Sequence, residues 1–472
     1  MGEKPRPGGA VRPEVSRLSG GLRGGAVQFG DFGVRSLPWV VHVGSESGPR
    51  ASSSTALYTP LPPLGCPLTY SVRSRPTDSS IMITPPTKRI FIAGAGGIGR
   101  ALGLMLRNEP SLSVEVTLGD LDPRSAEEGA AFASHGGTGA PARAFTMPRE
   151  GSTDELDRLL EGMDAIVDCL PGSQAPRMAR LARTHSAHYL NLTEYVKETE
   201  EVMEIAQGAD TCFALQCGLA PGFINILAHD LFQQSCELWE TDRVERIRMR
   251  VGALSTCASS PHYYGWTWSP VGVATEYVKP AYAVRNGAQV ELPSLSERET
   301  LLIEGQPFEE ALTSGGAADL PQALAGRVRD LDYKTLRYPG HYEWVEGLLA
   351  KMPKGADRAG LLQQQMEAVI PHCEDDLVVI YADVEGKDRH GRLRLSREAL
   401  FCPQIEIAGQ RLRAIQSTTA AGVAEVLNLI FERGFTGPLL QSQIPAAEYL
   451  DGPFARLAYG PGWDDLGEDE LE

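Results

Sequence analysis

Three glycines with the spacing Gly-x-Gly-x-x-Gly, Gly94, Gly96 and Gly99, could hold a phosphate group. A glycine turn lets a pyrophosphate approach the backbone because glycine has no Cβ, and the free N–H groups of a following helix face the phosphates. Asp120 lies about twenty residues further on, where a carboxylate accepts both ribose hydroxyls of the adenosine. These residues predict a dinucleotide site that takes NAD, with NADP disfavoured. The alternative is a structural turn with Asp120 as a helix cap.

A second group of candidates, rich in cations, lies at Lys334, Arg337 and His341. Hydride transfer to or from a nicotinamide is accompanied by proton transfer, so such a site must also supply an acid–base group. The candidates are His341, Lys334, His262 and Tyr263, and histidine titrates nearest to working pH. Arg337 suits a carboxylate clamp, since guanidinium binds carboxylate through two parallel hydrogen bonds.

Each of these assignments has a structural alternative. His341 could be a helix N-terminal residue that is hydrogen-bonded for structure, and Arg337 could form a buried ion pair. The aromatic segment 262–268 could wall a pocket or fill a core. Cys169 and Cys217 have no activating partner in the sequence, so they are expected in the wall of the site and not as nucleophiles.

The elements that position these groups alternate between strands and helices from residue 89 onward. Short apolar runs bounded by turn residues predict buried parallel strands, and apolar positions at helical spacing predict helices between them. The strands are expected at 90–93, 114–119, 142–145, 165–169, 188–192 and 211–215, and the helices at about 98–106, 124–133, 153–160, 174–184 and 196–207. This order predicts an α/β fold with a doubly wound, Rossmann-type parallel sheet over residues 86–238.

Two loops should lie beside the glycines, because ligands bind past the carboxyl ends of parallel strands. The first is Leu170–Gly172, which directly follows the strand that ends at Cys169, and the second is the turn with Gly218, Pro221 and Gly222. Pro221 suits the first position of a helix that continues to about Cys236. The expected cofactor-binding residues are therefore Gly94, Ala95, Gly96, Gly97, Ile98, Gly99, Asp120, Cys169, Leu170 and Pro171.

The pattern changes at Asp242. Arginine alternates with apolar residues at 244–251, as in a half-exposed antiparallel strand. Further strands are expected at 377–384 and 401–408, and helices at 274–277, 297–303 and 342–352. We expect a second, α+β domain at 239–415 with a mixed or antiparallel sheet, a helix at 416–436 that returns to the first sheet, and a tail at 437–472.

Residues 1–85, rich in Gly, Pro, Ser and Arg, are expected to be a disordered or non-native extension, with Met82 as a possible natural start.

The composition limits the partners. A formal net charge of −17 argues against nucleic acid and anionic membranes. The eight cysteines show no zinc-like spacing, so no metal is expected, and they are predicted to be reduced thiols of a cytoplasmic protein. The sequence contains no run of about 18 apolar residues, so no transmembrane helix is expected.

Five stretches together resemble the saccharopine dehydrogenase family, in the branch of glutamate-forming saccharopine reductases and lysine 6-dehydrogenase. They lie at 91–99, 168–171, 217–222, 268–277 and 335–341, and the resemblance extends over about 89–437. It implies a nicotinamide cofactor, an amino acid or polyamine substrate with a C–N bond, and a second domain for substrate binding and dimerisation, hence a homodimer. The expected substrate-binding residues are Gly218, Pro221, Gly222, Tyr263, Trp268, Glu276 and Arg337. The sequence departs from the family pattern at 270–274, which leaves the particular substrate open.

We therefore expect a NAD-dependent oxidoreductase that acts on a C–N bond of an amino acid or polyamine derivative. One alternative is a reductive condensation that forms a secondary amine such as saccharopine or carboxynorspermidine. Another is a non-catalytic dinucleotide sensor or scaffold.

Overall fold

Two sheets with their helices make up the computed structural model, which describes residues 86–460 except 138, 194–195 and 354–356. The extension expected at 1–85 and the last part of the expected tail, 461–472, lie outside the described residues. The elements up to residue 239 are β1 (Lys88–Ala93), α1 (Gly97–Asn108), β2 (Val114–Asp120), α2 (Pro123–Ala133), β3 (Arg143–Thr146), α3 (Asp154–Leu160), β4 (Ala165–Asp168), α4 (Ala175–Thr184), β5 (His188–Asn191), α5 (Val196–Ala206), β6 (Cys212–Ala214) and α6 (Phe223–Trp239).

The rest of the described chain carries most of the second sheet. Its elements are β7 (Val244–Ser255), α7 (Pro270–Val278), β8 (Ala281–Arg285), β9 (Ala288–Leu292), β10 (Glu299–Ile303), β11 (Gln306–Leu312), α8 (Leu320–Ala323), β12 (Val328–Arg337), α9 (His341–Leu349), α10 (Arg358–Glu367), β13 (Asp376–Lys387), β14 (Leu393–Cys402), β15 (Ile405–Ile407), β16 (Gln410–Leu412), α11 (Ala414–Arg433), β17 (Gly437–Leu439), α12 (Ala446–Leu450) and α13 (Pro453–Tyr459).

The first sheet is a doubly wound parallel sheet, as the sequence predicts. Its strand order among the described residues is β17-β6-β5-β4-β1-β2-β3, and every pair is parallel. Alternate strand residues point to opposite faces: Ile90 and Ile92 pack in the core with α1, α2 and α11, whereas Phe91 packs in the core with α3, α4 and α5. Both faces are therefore buried, which explains the continuous apolar runs of these strands.

Two predictions in this half of the fold are wrong. Residues 437–460 are not a tail, because β17 adds a strand to the first sheet beside β6. Pro221 is not the first residue of a helix: α6 begins at Phe223, two residues later. Gly222, at φ +135°, precedes that helix, and its N–H donates to Asn225 Oδ1 at 2.8 Å. Pro221 thus lies in the turn that leads to α6.

The second sheet is mixed. Its main order is β10-β11-β12-β7-β13-β14, while β8 pairs with β12 and β9 pairs with β8. The β7–β12 pair is parallel and the other pairs are antiparallel. The arginine-rich segment at 244–251, expected to resemble an antiparallel strand, is part of β7, which has one parallel and one antiparallel neighbour.

Local predictions in the second sheet were less accurate. The segment expected as a helix at 297–303 contains strand β10, which pairs with β11 across the turn at Gly305. The strand expected at 401–408 is split between the end of β14 and the small β15–β16 hairpin. Pro403 lies between them, and proline has no N–H to continue a ladder. Arg337 is the last residue of strand β12.

Helix α11 returns to the first sheet, as expected, and lies against α1. By length and composition alone this helix could cross a membrane, but 89% of its apolar window is buried inside the fold, as in the core helix of a globular domain. Cys257 and Cys373 form a disulfide with a Cα–Cα distance of 6.3 Å. The expectation that all cysteines are reduced is therefore wrong for this pair.

Candidate functional site

A cavity of about 530 Å³ lies where the carboxyl ends of the first sheet meet the second sheet. Its wall contains residues from the start of α1, from the loop after β4, from the turn before α6, from strands β7 and β12, and from the start of α11. Of the residues predicted from sequence, it contains Gly97, Ile98, Cys169, Leu170, Pro171, Gly218, Pro221, Trp268, Glu276 and Arg337. The structure thus brings the predicted cofactor loops and several predicted substrate residues to one cavity.

The glycine turn has the geometry that a dinucleotide needs. Gly94 is at φ +102°, and a Cβ there would lie 2.9 Å from the carbonyl oxygen of Cys169. A Cβ at Gly99 would lie 1.8 Å from Gly94 O, so α1 could not pack so close to β1 with any larger residue. A Cβ at Gly96 would meet no atom of the described chain within 4 Å. The space beside the start of α1 is therefore open to a phosphate.

Asp120 is held at the end of β2 by the glycine turn. Its Oδ2 accepts a hydrogen bond from Ala95 N at 3.0 Å, and its Oδ1 accepts one from Asp122 N at 3.1 Å. The side chain that caps α2 is Asp122, which accepts from Arg124 N at 3.1 Å. Asp120 is therefore not needed as a helix cap. The open space at Gly96 and this fixed carboxylate fit a dinucleotide.

Arg337 is a buried cation in the cavity wall, only 1% exposed. Its Nε donates to Tyr277 Oη at 2.7 Å, and its Nη1 donates to Leu336 O at 2.9 Å. Its Nη2 lies 4.0 Å from Glu276 Oε2 and has no hydrogen-bond partner within the described part of the chain. The Nη2 edge of the guanidinium is thus left to receive an acceptor, and Arg337 is a lining residue of the cavity.

The surroundings of Arg337 keep it charged. Burial opposes the charge, but Tyr277, Tyr264 and Glu276 raise the pKa of Arg337 above its usual range. The guanidinium centre lies 5.0 Å from the Tyr264 ring and 5.6 Å from the Tyr277 ring, at cation–π distance. An anion in the cavity would therefore meet a permanent positive charge that is buried among aromatic side chains.

His341 lies behind Arg337 and does not line the cavity. Its Nδ1 is 2.7 Å from His262 O, a pure acceptor, so Nδ1 carries the proton; its Nε2, 3.0 Å away, then accepts from Tyr277 Oη–H. Burial and the nearby Arg337 lower the pKa of His341 to about 3. His341 is therefore a neutral residue at pH 7 that orients Tyr277. Its position gives no support to direct proton exchange with a substrate, and that role stays a prediction.

Lys334 points away from the cavity, because neighbouring residues of a strand face opposite sides. Tyr333, Thr335 and Arg337 line the cavity, whereas Lys334 is buried on the other side of the sheet. Its Nζ donates to Glu299 Oε2 at 2.9 Å and lies 3.1 Å from Glu310 Oε1. The structure thus places Lys334 in an ion-pair network and out of reach of the cavity.

Some of the other predicted substrate residues line the cavity, and the rest lie outside its wall. Trp268 and Glu276 line the cavity, as do Gly218 and Pro221. The ring of Tyr263 packs on Gly340, where a Cβ would be 2.7 Å from it, and Tyr263 is not part of the wall. Gly222 is also absent from the wall.

The cysteines near the cavity are not activated. Burial raises the pKa of the Cys169 thiol far above its usual value, and burial likewise raises that of Cys217. Neither would be a thiolate at neutral pH, which agrees with the expectation that they are not nucleophiles. Cys169 lies in the cavity wall as expected, whereas Cys217 does not. Nearby Asp168 is buried too, and burial raises its pKa to about 7, although Leu170 N and Tyr189 Oη–H both donate to it.

Sequence reasoning missed part of the wall. The missed polar residues are Thr193, Tyr333, Thr335, His372, Arg413, Gln416 and Thr419. Tyr333 and Thr335 precede Arg337 at a spacing of two, so recognition of β12 as a strand would have found them. Gln416 and Thr419 are three residues apart on α11 and share a face, but which face meets α1 depends on tertiary packing.

Family comparisons agree with this two-part arrangement. The model described as "Saccharopine dehydrogenase NADP binding domain" matches residues 90–212, and the model described as "Saccharopine dehydrogenase C-terminal domain" matches residues 218–445. Both halves of the cavity wall therefore come from segments that match domains of one family.

Two curated relatives and two solved structures are similar to the chain. The mitochondrial alpha-aminoadipic semialdehyde synthase of Bos taurus is 22% identical over 400 residues, which cover 80% of this chain and 38% of the relative. That of Rattus norvegicus is 22% identical over 335 residues, which cover 66% of this chain and 32% of the relative. The chain thus spans about a third of the length of the curated relatives it matches.

The solved structures match over most of both chains. Apo saccharopine dehydrogenase (L-Glu forming) from Saccharomyces cerevisiae aligns with a TM-score of 0.59 and 14% identity, covering 77% of this chain and 95% of that one. Homospermidine synthase from Legionella pneumophila, in complex with NAD, aligns with a TM-score of 0.57 and 13% identity, covering 79% and 90%. At such identities these likenesses show the fold.

Proposed function

Because the chain belongs to the saccharopine dehydrogenase family, we propose that it is a dinucleotide-dependent oxidoreductase that acts on the C–N bond of an α-amino acid derivative. The observation that carries this proposal is Arg337 Nη2, a buried guanidinium nitrogen in the cavity wall without a hydrogen-bond partner among the described residues. A substrate carboxylate would satisfy it. An unpaired buried donor otherwise costs about 1–3 kcal/mol.

Glu276 supports an amino acid over a simple carboxylic acid. Its carboxylate lies in the same wall, 4.0 Å from Arg337 Nη2. A cation and an anion so close together fit the carboxylate and ammonium groups of a zwitterion. Arg337 would hold the carboxylate away from the reacting bond, and the dry, aromatic surroundings would strengthen both contacts.

The start of α1 supports the cofactor half of the proposal. The glycine turn would hold the pyrophosphate, and the loop Cys169–Pro171 would lie against the rest of the dinucleotide. The nicotinamide ring supplies hydride transfer when such a cofactor is bound. Trp268 helps to exclude water from the same cavity, which protects a hydrolysable C=N product.

The acid–base group belongs among the titratable residues of the wall. Burial raises the pKa of Tyr333 above its usual value, so at neutral pH this phenol is a proton donor and not a base. Glu276 and His372 are the other candidates in the wall on geometry. The earlier candidates His262, His341 and Lys334 are not in it.

Substitution of Arg337 by Lys tests the proposal. Arg337→Lys should keep the fold, raise KM more than it lowers kcat and cost about 1.5–3 kcal/mol in transition-state binding, the range for a charged hydrogen bond. First, NADH formation is screened with amino acids and polyamines, and NADH consumption with aldehyde–amine pairs. Then kcat/KM is measured for the best amino acid and its decarboxylated analogue, beside a melting curve.

The analogue is the control for the clamp. Wild type should use it poorly, and Arg337→Lys should leave that low activity unchanged. An equal loss with both compounds, or a protein that simply melts, would show that Arg337 is structural. Dinucleotide binding without turnover of any compound would instead favour a sensor.

We further propose that NAD is preferred to NADP. The Asp120 carboxylate is fixed beside the glycine turn and would repel a 2′-phosphate, although Arg124 lies four residues on. We expect at least about a tenfold preference, about 1.4 kcal/mol. Asp120→Asn, which keeps an acceptor for Ala95 N but removes the charge, should reduce the preference. Equal kcat/KM values of the wild type for both cofactors would disprove the idea.

A further inference from the structure

Only one end of the buried side-chain amide of Gln416 forms a hydrogen bond within the described residues. The residue is 4% exposed and lies in the first turn of α11. Its Oε1 accepts a hydrogen bond from Arg413 N at 3.1 Å. Its Nε2 is buried and has no hydrogen-bond partner in the part of the chain that the structure describes. Capping of α11 therefore explains one end of the side chain and leaves the donor unexplained.

Hydrogen bonds fix the backbone at the start of α11, and this restricts the orientation of the Gln416 side-chain amide. Asp376 on β13 accepts from Ala414 N at 2.7 Å through Oδ1 and from Ile415 N at 3.0 Å through Oδ2. With the cap from Gln416 Oε1, three consecutive N–H groups at the start of this helix are satisfied. The orientation of the Gln416 side chain is thus set by its own Oε1 contact.

The free donor faces the glycine turn. A Cβ placed on Gly97 would lie 2.5 Å from Gln416 Nε2, so this nitrogen packs directly on the first residue of α1. Gly97 and Gln416 both line the cavity. The N–H groups at the start of α1 and the amide of Gln416 therefore approach the same space from two helices.

We propose that Gln416 Nε2 donates a hydrogen bond to a pyrophosphate oxygen of the bound dinucleotide. The inference rests on the proposed function, because it requires that the glycine turn binds such a cofactor. A phosphate oxygen is the acceptor that fits: it would lie against the start of α1, where helix N–H groups favour an anion, and it would satisfy a donor that is otherwise buried without a partner. Helix α11, which packs against α1, would thus contribute a side chain to the pyrophosphate site.

A matched pair of variants separates this role from capping. Gln416→Glu keeps Oε1 for Arg413 N but replaces the donor with a carboxylate oxygen. Gln416→Met has a similar length and removes both functions. The dissociation constant for NADH is measured by fluorescence titration, and the melting temperature is measured without ligand. Both readouts are independent of turnover.

We expect Gln416→Glu to melt near the wild type and to bind NADH at least tenfold more weakly. Gln416→Met should melt at a lower temperature and should also bind more weakly. The Glu variant should lose affinity for ADP-ribose, which contains the pyrophosphate, but little affinity for AMP, which lacks it. This pattern locates the contact at the pyrophosphate.

Two results would overturn the inference in different ways. If Gln416→Glu binds NADH as tightly as the wild type, and only Gln416→Met is affected in melting, then Gln416 is a helix cap and the proposed function stands. If the wild type binds neither NADH nor NADPH, the proposed function fails and this inference fails with it.

Discussion

Arg250 and Arg337 are cations buried on neighbouring strands of the second sheet, but on opposite faces. Arg250 on β7 donates to Glu310 Oε2 through Nε and to Asp332 Oδ1 through Nη1, each at 2.6 Å. Arg337 on β12 is 4.0 Å from its nearest carboxylate, on Glu276, and otherwise contacts a phenol and a carbonyl. Both arginines are 1% exposed. Burial therefore does not distinguish them, and their partners do.

The difference separates a structural cation from one that can bind a ligand. On the face of Arg250, which we call the ion-pair face, Lys334 and Arg285 add further contacts to Glu310 and Asp332. Burial opposes the charge of Arg250, but Asp332 and Glu310 raise its pKa above the usual range. On the cavity face, Arg337 keeps one donor for a ligand. A buried charge whose hydrogen bonds are incomplete within the protein is the better candidate for recognition.

The largest effect should come from removal of the structural cation. Arg250→Met leaves Glu310 and Asp332 without their closest partner, and loss of one member of a buried ion pair costs about 3–5 kcal/mol. We expect a lower free energy of unfolding by about this amount in urea denaturation. Arg246→Met is the matched control. Arg246 lies on the same strand and face, and its ion pair with Glu385 is well exposed, so its loss should cost about 1 kcal/mol or less.

A smaller loss of stability for Arg250→Met than for Arg246→Met would contradict this expectation. It would mean that the buried network contributes no more than a surface pair. In that case the partner geometry of Arg337 would carry no information about ligands either.

Lys334→Met should have an intermediate effect. Glu310 would keep Arg250, so we expect a loss of roughly 2 kcal/mol, as for a hydrogen bond to a charged group. Because Lys334 faces away from the cavity, kcat should stay within about twofold of the wild type. The measurements are urea denaturation and steady-state kinetics. A fall in kcat of about a hundredfold with unchanged stability would instead restore Lys334 as the acid–base group.

The first sheet could be predicted from sequence because its signals are local. β1, the glycine turn and α1 follow one another directly, and strands buried on both faces are apolar throughout. The position of Asp120 follows from the same unit. The pairing of β17 could not be foreseen, since Gly437–Leu439 is short and its partner β6 is more than 200 residues away in the chain.

The second sheet was harder because its strands carry buried charges. On β12, Asp332 and Lys334 alternate with Tyr333 and Thr335, so both faces look polar in sequence although both are buried. The ion pairs that allow this join distant strands. For the same reason Arg337 could be identified as a carboxylate clamp by residue type, while its free Nη2 could be found only from the packing around it.

The smallest effect concerns the free energy of unfolding in acid, to which the two faces should contribute at different pH. Around Asp332, burial raises the pKa, but Arg250, Arg285 and Lys334 outweigh it and lower the pKa below its usual value. The stabilisation from Asp332 is therefore present above pH 3.8 and is lost only at lower pH.

On the cavity face, His341 is neutral in the folded protein down to a pKa of about 3, whereas in the unfolded chain it takes up a proton near pH 6.5. Acid therefore favours the unfolded chain from pH 6.5 downward. This residue should remove about 1 kcal/mol of stability between pH 6.5 and 5.5. His341→Gln keeps an acceptor for Tyr277 and cannot be protonated. Its free energy of unfolding should therefore fall less steeply than that of the wild type over this pH range, measured by urea denaturation at each pH. Equal slopes for the two proteins would mean that His341 is protonated in the folded state and is not a neutral support for Tyr277 and Arg337.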